Sequence, residues 1–112
     1  MTEVVIILTA VPDGDLGDTI ARRLIEQRLA ACVNIGAPMT SIYRWRGVVE
    51  REAERQVVIK TTREHIPAVQ ACIAEAHSYE LPEFVVLAVA EGSPAYLDWV
   101  QGEVTPNLKS DT

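Results

Sequence analysis

The chain has no apolar run near the roughly 18 residues that a membrane-crossing helix needs. Its opening Met1-Thr2-Glu3 lacks the positive region of a secretory signal, and the apolar run at 4–8 is too short to be the core of one. Cysteine is scarce. Cys32 and Cys72 are too few and too scattered for a disulfide framework, and reduced thiols fit a cytosol better. These absences predict a cytoplasmic protein without a membrane partner. Basic residues are outnumbered, 10 against 16 acidic, for a net charge of −6. A nucleic-acid binder needs a basic face for phosphates, so no nucleic-acid partner is expected. The same charge permits cation binding without demonstrating it. Familiar catalytic signatures are missing as well: no glycine-rich phosphate loop, Cys-x-x-Cys, His-Glu-x-x-His or Gly-x-Ser-x-Gly. Gly14-Asp15-Leu16-Gly17 reads as a turn and a helix start. There is no strong internal repeat and no low-complexity segment.

What is present reads as one domain over 1–104 with a polar tail over 105–112. At 112 residues and 48% hydrophobic content, such a chain buries about 65% of its unfolded surface, enough for a core without staples. The β-branched run Val4-Val-Ile-Ile-Leu8 predicts a strand buried on both faces. Asp13 or Asp15 then offers an N-cap, and Leu16, Ile20 and Leu24 mark an amphipathic helix. Cys32-Val-Asn-Ile35 starts a second strand, bent at Gly36-Ala-Pro38 and continued from Thr40 to Trp45. A third strand returns from Val48 to Thr61. Thr61-Thr-Arg-Glu64 has the form of a capping box ahead of a helix striped by Ile66, Val69, Ile73 and Ala76. The run 84–89 predicts another buried strand. Ser93-Pro94 opens a last helix that Gly102 caps, and the tail is expected to strap a neighbour before fraying. Strand, helix, strand, strand, helix, strand, with a helical appendix, is the ferredoxin-like β-α-β-β-α-β pattern of an α+β sandwich.

The second and third strands are the most informative part. They form a hairpin with a tight turn at Arg46-Gly47. Each arm runs about twelve residues, against a usual strand of roughly 5–6, and spans roughly 40 Å. A domain near 100 residues has a radius of gyration of only about 13 Å. The tip therefore overhangs its own domain. Its exposed edge needs partners, most simply further copies of the chain.

Candidate chemistry is sparse. Tyr43 and Trp45 fall on one strand face, more in the manner of an interface anchor than of a ligand box. Glu50, Glu52 and Glu54 lie across the hairpin and are expected to pair with Arg44, Arg46 and Arg51 in a charge ladder. His77, Tyr79, Glu80 and Glu83 cluster between a helix end and a strand. Imidazole and carboxylate together suit a divalent metal, whereas a histidine at a helix C-terminus also suits the helix dipole. Cys32 and Cys72 read as buried, inert thiols. An enzyme built from His77, Glu83 and Lys60 would lack a nucleophile, base and orienter set.

Three motifs carry a family resemblance. Ser41-x-Tyr43-x-Trp45-x-Gly47-x-x-Glu50-x-x-x-Glu54, followed by Lys60-Thr61, resembles the hairpin signature of the CutA divalent-cation-tolerance family. Leu29-Ala-Ala-Cys32-Val-Asn34 is similar to the family's link from first helix to second strand. His77-Ser-Tyr79-Glu80-Leu-Pro82-Glu83 resembles its His-Pro-Tyr-x-x-Pro-Glu motif, with Ser78 in place of proline. The resemblance runs from about Val4 to Val100. It implies a ferredoxin-like fold, a homotrimer, and a non-enzymatic role in the response to divalent metals, copper included. It also implies that a copper-binding triad would occupy Thr9, Ala76 and Glu83, where only the glutamate has a ligating side chain. Weak copper or zinc binding through Glu83 and His77 is therefore expected. Tyr43, Trp45, Lys60 and Tyr79 are expected at a ligand site or subunit interface. The alternative is a PII-like trimeric regulatory module that takes a small ligand in clefts between subunits.

Overall fold

The computed structural model describes residues 2–105. The strap expected of the tail lies, beyond Thr105, outside the described residues. The elements in chain order are β1 (Val4–Pro12), α1 (Leu16–Glu26), β2 (Cys32–Ile35), β3 (Met39–Trp45), β4 (Val48–Thr62), α2 (Ile66–Ala76), β5 (Val85–Ala88) and α3 (Pro94–Glu103). They build an α+β fold around one antiparallel sheet. Its order is β2-β4-β1-β5, with β3 also paired to β4. The bend expected at 36–38 divides one hairpin arm into β2 and β3. The other arm is an unbroken strand of 15 residues.

Strand alternation gives the sheet two faces. The inner face carries Val5, Ile7 and Val11 of β1 with Val57 and Ile59 of β4, all fully buried. Ile20 and Leu24 of α1 and Val69 and Ile73 of α2 close over them as one core. Gly17 lies where α1 comes nearest the sheet. A Cβ there would sit 3.2 Å from Val11 and 3.4 Å from Ile35, so a larger residue would push the helix outward.

The outer face is only partly covered. Lys60 lies 6.0 Å from the Tyr96 ring of α3, and Val4, Val100 and Val104 are buried. Val85 and Leu87 of β5 are 45% and 47% exposed. The strand at 84–89 is thus not buried on both faces within one chain, contrary to the pattern of its sequence, whereas every residue from Val4 to Leu8 of β1 is buried or half-buried.

Several local expectations resolve differently. Asp15 occupies the N-cap of α1 without a capping side-chain bond, and Asp13 pairs with Arg55 at 3.0 Å. At 61–64 the residue at the N-cap is Thr62, which makes no capping side-chain bond. Thr61 donates to the Leu29 carbonyl at 2.7 Å and the Thr62 hydroxyl bonds Nδ1 of His65 at 2.6 Å. The other ring nitrogen of His65 donates to the Thr105 carbonyl. Ser93 does cap α3, accepting from the Tyr96 N–H, but Gly102 lies inside that helix, not past its end.

The hairpin turns at Arg46 (φ 50°) and Gly47 (φ 82°). Two successive positive φ values define the two-residue turn whose twist matches the strands it joins. The chain extends 48 Å along its longest axis, and the arm accounts for that overhang. Beyond β4, no strand pairs with β3 among the described residues.

Candidate functional site

A two-residue turn fixes the register of the arm. Trp45 faces Val48, Tyr43 faces Glu50, Ser41 faces Glu52 and Met39 faces Glu54. Directly opposed residues share a face, so Tyr43, Trp45, Glu50, Glu52 and Glu54 all lie on one side. Arg44 and Arg51 lie on the other side, opposite Val49 and Ile42. The expected charge ladder therefore does not form. Among the described residues none of the three glutamates makes an ion pair with arginine, and Arg46 reaches Glu80 instead at 2.7 Å. The result is an acidic face of the arm with two aromatic rings, on which the one basic group among the described residues is the Arg46 guanidinium beside Trp45 at the tip.

The segment after α2 folds back toward this face and closes a cleft of about 510 Å³. Its walls are Tyr43, Trp45 and Ser41 from β3, Glu54 from β4, Ala10 from β1, and Ser78, Tyr79, Glu80, Leu81 and Glu83 from the returning segment. Tyr79 joins the two walls. Its hydroxyl donates to Glu54 Oε2 at 2.8 Å. Burial and this carboxylate bond push the Tyr79 phenol well above its ordinary value near 10, with the Glu54 charge adding to both. The Tyr43 phenol is also raised, first by desolvation and then by Glu52, Glu50 and Glu54.

A raised phenol favours its neutral form in the folded chain. The stability it contributes is fully present below about pH 10 and is lost as pH rises through the folded value. Both raised phenols should therefore titrate above about pH 10 in an absorbance titration of phenolate, with the Tyr79 step the last. That step should vanish in Tyr79→Phe and move to lower pH in Glu54→Gln. A titration curve unaltered in shape by Glu54→Gln would show that the carboxylate does not hold the proton in place.

His77 comes close to the cleft without opening onto it. Its ring lies 4.6 Å from that of Tyr79 and is buried. Nε2 donates to the Ala10 carbonyl at 2.7 Å, while Nδ1 accepts from the Tyr79 N–H at 3.0 Å. A carbonyl can only accept and an amide N–H can only donate, so the tautomer is fixed and both nitrogens are engaged. Glu83 lines the cleft, as do Tyr43, Trp45 and Tyr79. Lys60 does not; it sits beside Tyr96. Thr9 faces the opposite side of β1 from Ala10, fully buried, with no hydrogen-bond partner for its hydroxyl among the described residues. Among the described residues no three histidine, cysteine, aspartate or glutamate side chains are grouped to hold a metal ion.

Sequence reasoning does not single out Glu54 as a site residue, yet it forms the floor of the cleft. The signal is nevertheless present. A two-residue turn at 46–47 makes paired residue numbers sum to a constant, which places Glu54 on the face of Tyr43.

These features define a class: an α+β chain whose long hairpin and returning loop enclose an acidic, aromatic cleft. The profile of the CutA1 divalent ion tolerance protein family matches residues 5–103. The divalent-cation tolerance protein CutA of Thermus thermophilus is 46% identical over 96 residues, covering 86% of this chain and 93% of that protein. Protein CutA of Mus musculus is 39% identical over 99 residues, and the match spans 55% of its length. Among solved structures, the divalent cation tolerance protein of Thermus thermophilus superposes with a TM-score of 0.88 at 41% identity, covering 91% of this chain and 99% of that one. The PII-like protein CutA from Nostoc sp. PCC 7120 superposes with a TM-score of 0.84 at 42% identity, covering 90% and 97%. The chain belongs to the CutA1 divalent ion tolerance family.

Proposed function

We propose that this chain acts without catalysis, as a divalent-cation-tolerance protein: a cytoplasmic homotrimer of ferredoxin-like protomers that binds divalent metals weakly at the hairpin cleft. The observation that carries the reading is the acidity of the cleft: Glu83 lines it beside Glu54 and Glu80. Although these carboxylates are not grouped as a ligand set among the described residues, each is an oxygen donor that a weakly held cation can meet singly or through water. Carboxylates alone favour hard or hydrated cations, whereas copper prefers thiolate and imidazole. Thr9 and Ala76 supply neither group. His77 joins a metal only by giving up the Tyr79 N–H. Trimer symmetry would repeat the partial site three times. The free thiols of Cys32 and Cys72 are compatible with a reducing compartment.

Calorimetry with Cu(II) and Zn(II) tests this reading. Binding should be saturable but micromolar or weaker, and Glu83→Gln should weaken it several-fold. Sub-nanomolar copper affinity would overturn the proposal, as would binding unchanged in Glu83→Gln. A second reading, a PII-like module for a small ligand, is favoured by the aromatic walls of the cleft and by its volume, which falls in the range of small-molecule sites.

A further inference from the structure

The cleft suits one kind of cation better than a bare metal ion. Its described walls contain no imidazole and no thiol. They hold three aromatic rings, Tyr43, Trp45 and Tyr79, which attract cations through their faces but donate no ligand atom of metal-binding strength. Its floor is a carboxylate out of solvent: Glu54 is 8% exposed. One oxygen of Glu54 accepts from Tyr79, and no cationic side chain pairs with it among the described residues. A buried carboxylate without a counter-charge is costly, and here the missing charge belongs in the cavity beside it.

The chain itself shows what such a charge looks like. The Arg46 guanidinium stands 5.2 Å from the Trp45 ring centroid and meets both oxygens of Glu80, at 2.7 and 2.8 Å. An organic cation between an aromatic face and a carboxylate thus already sits at the rim. Both partners of that ion pair are about 70% exposed, so the pair is weak and displaceable. Further along the same cleft, buried Glu54 bonds Tyr79 and shares the lining with Tyr43, with no cation paired to it among the described residues.

We propose that the cleft binds a small organic cation of the alkylammonium or alkylguanidinium class, its charge on Glu54 and its carbon chain against Tyr43 and Trp45. This rests on the reading of the cleft as a cation site and replaces the ion by an organic group. Arg46 then acts as an internal competitor that the ligand displaces from Trp45.

Binding is followed by tryptophan fluorescence in the full chain carrying Trp99→Phe, so that Trp45 alone reports. Butylguanidinium, butylammonium and tetramethylammonium chlorides are the probes, n-butanol is the neutral control, and EDTA is present throughout. Saturable quenching by the cations and none by butanol is expected. Glu54→Gln keeps an acceptor for Tyr79 and should weaken binding roughly tenfold. Arg46→Ala should strengthen it. Equal response to butanol, no saturable response to any cation, or affinity unchanged in Glu54→Gln would overturn the proposal. Metal binding without organic-cation binding would sink this inference and leave the metal reading standing. The reverse pattern would do the opposite.

Discussion

Replacing His77 with alanine is expected to lower folding stability by about 2–6 kcal/mol, from the buried Ala10 carbonyl and the half-buried Tyr79 N–H left unpaired at roughly 1–3 kcal/mol each. β5 pairs with β1 only from Val5 to Leu8. Beyond that point the His77 ring bonds β1 at Ala10 and holds the Tyr79 N–H on its other nitrogen. The histidine thus pins the returning segment to the sheet and keeps Tyr79 over Glu54. Its loss should also release the Tyr79–Glu54 bond. Urea unfolding of the parent, His77→Ala and Glu83→Gln measures this, with Glu83→Gln within about 0.5 kcal/mol as the surface control. If His77→Ala keeps full stability and loses only metal binding, the residue is a ligand and not a pin.

Trp45→Ala should have an effect of similar size on assembly. The tip of the arm leaves Val48, on the face of Trp45, 57% exposed and Ile42 and Val49, on the other face, 68% and 62% exposed, and β3 has a free outer edge among the described residues. A copy seated there would cover both. Truncating a buried interface aromatic costs about 2 kcal/mol or more, and a symmetric trimer repeats the loss three times. The total of about 6 kcal/mol weakens trimer formation roughly 10⁴-fold. Sedimentation equilibrium should show the parent at three times 12.3 kDa and the variant dissociating at micromolar concentration. A parent that is monomeric, or a variant trimer with unchanged concentration dependence, would remove Trp45 from the interface.

Much of the fold was legible because it depends on local rules. The turn at Arg46-Gly47, the bend at 36–38, the Ser93 cap and the helix stripes follow from neighbours in sequence. The pairing of Glu50, Glu52 and Glu54 with arginines failed because charge was read without strand parity. The register sets Arg44 against Val49 and so turns its side chain away from the carboxylates. Tyr79 and Glu54 are 25 residues apart, and their bond depends on how the chain returns after α2. His77 stood out in the sequence for its chemistry. Its role was not readable, because its partners are a carbonyl 67 residues away and a backbone amide. The run at 84–89 overstated burial because an apolar pattern shows that both faces of a strand can be covered, not that one chain supplies the cover.

The unbroken length of β4 has a mechanical consequence. From Val57 to Lys60 the strand is gripped on both sides, by β1 and β2. The last pair with β1 joins Pro12 and Glu54, and past it only β3 accompanies the strand. Glu54 therefore stands at the fulcrum of a stiff lever. Tyr43 and Trp45 ride on its free limb, while Tyr79 and Glu83 stay with the body. Rotation of the limb would widen or narrow the gap between them, so a contact that holds the tip, such as Arg46 on Glu80, also bears on the aperture at the fulcrum.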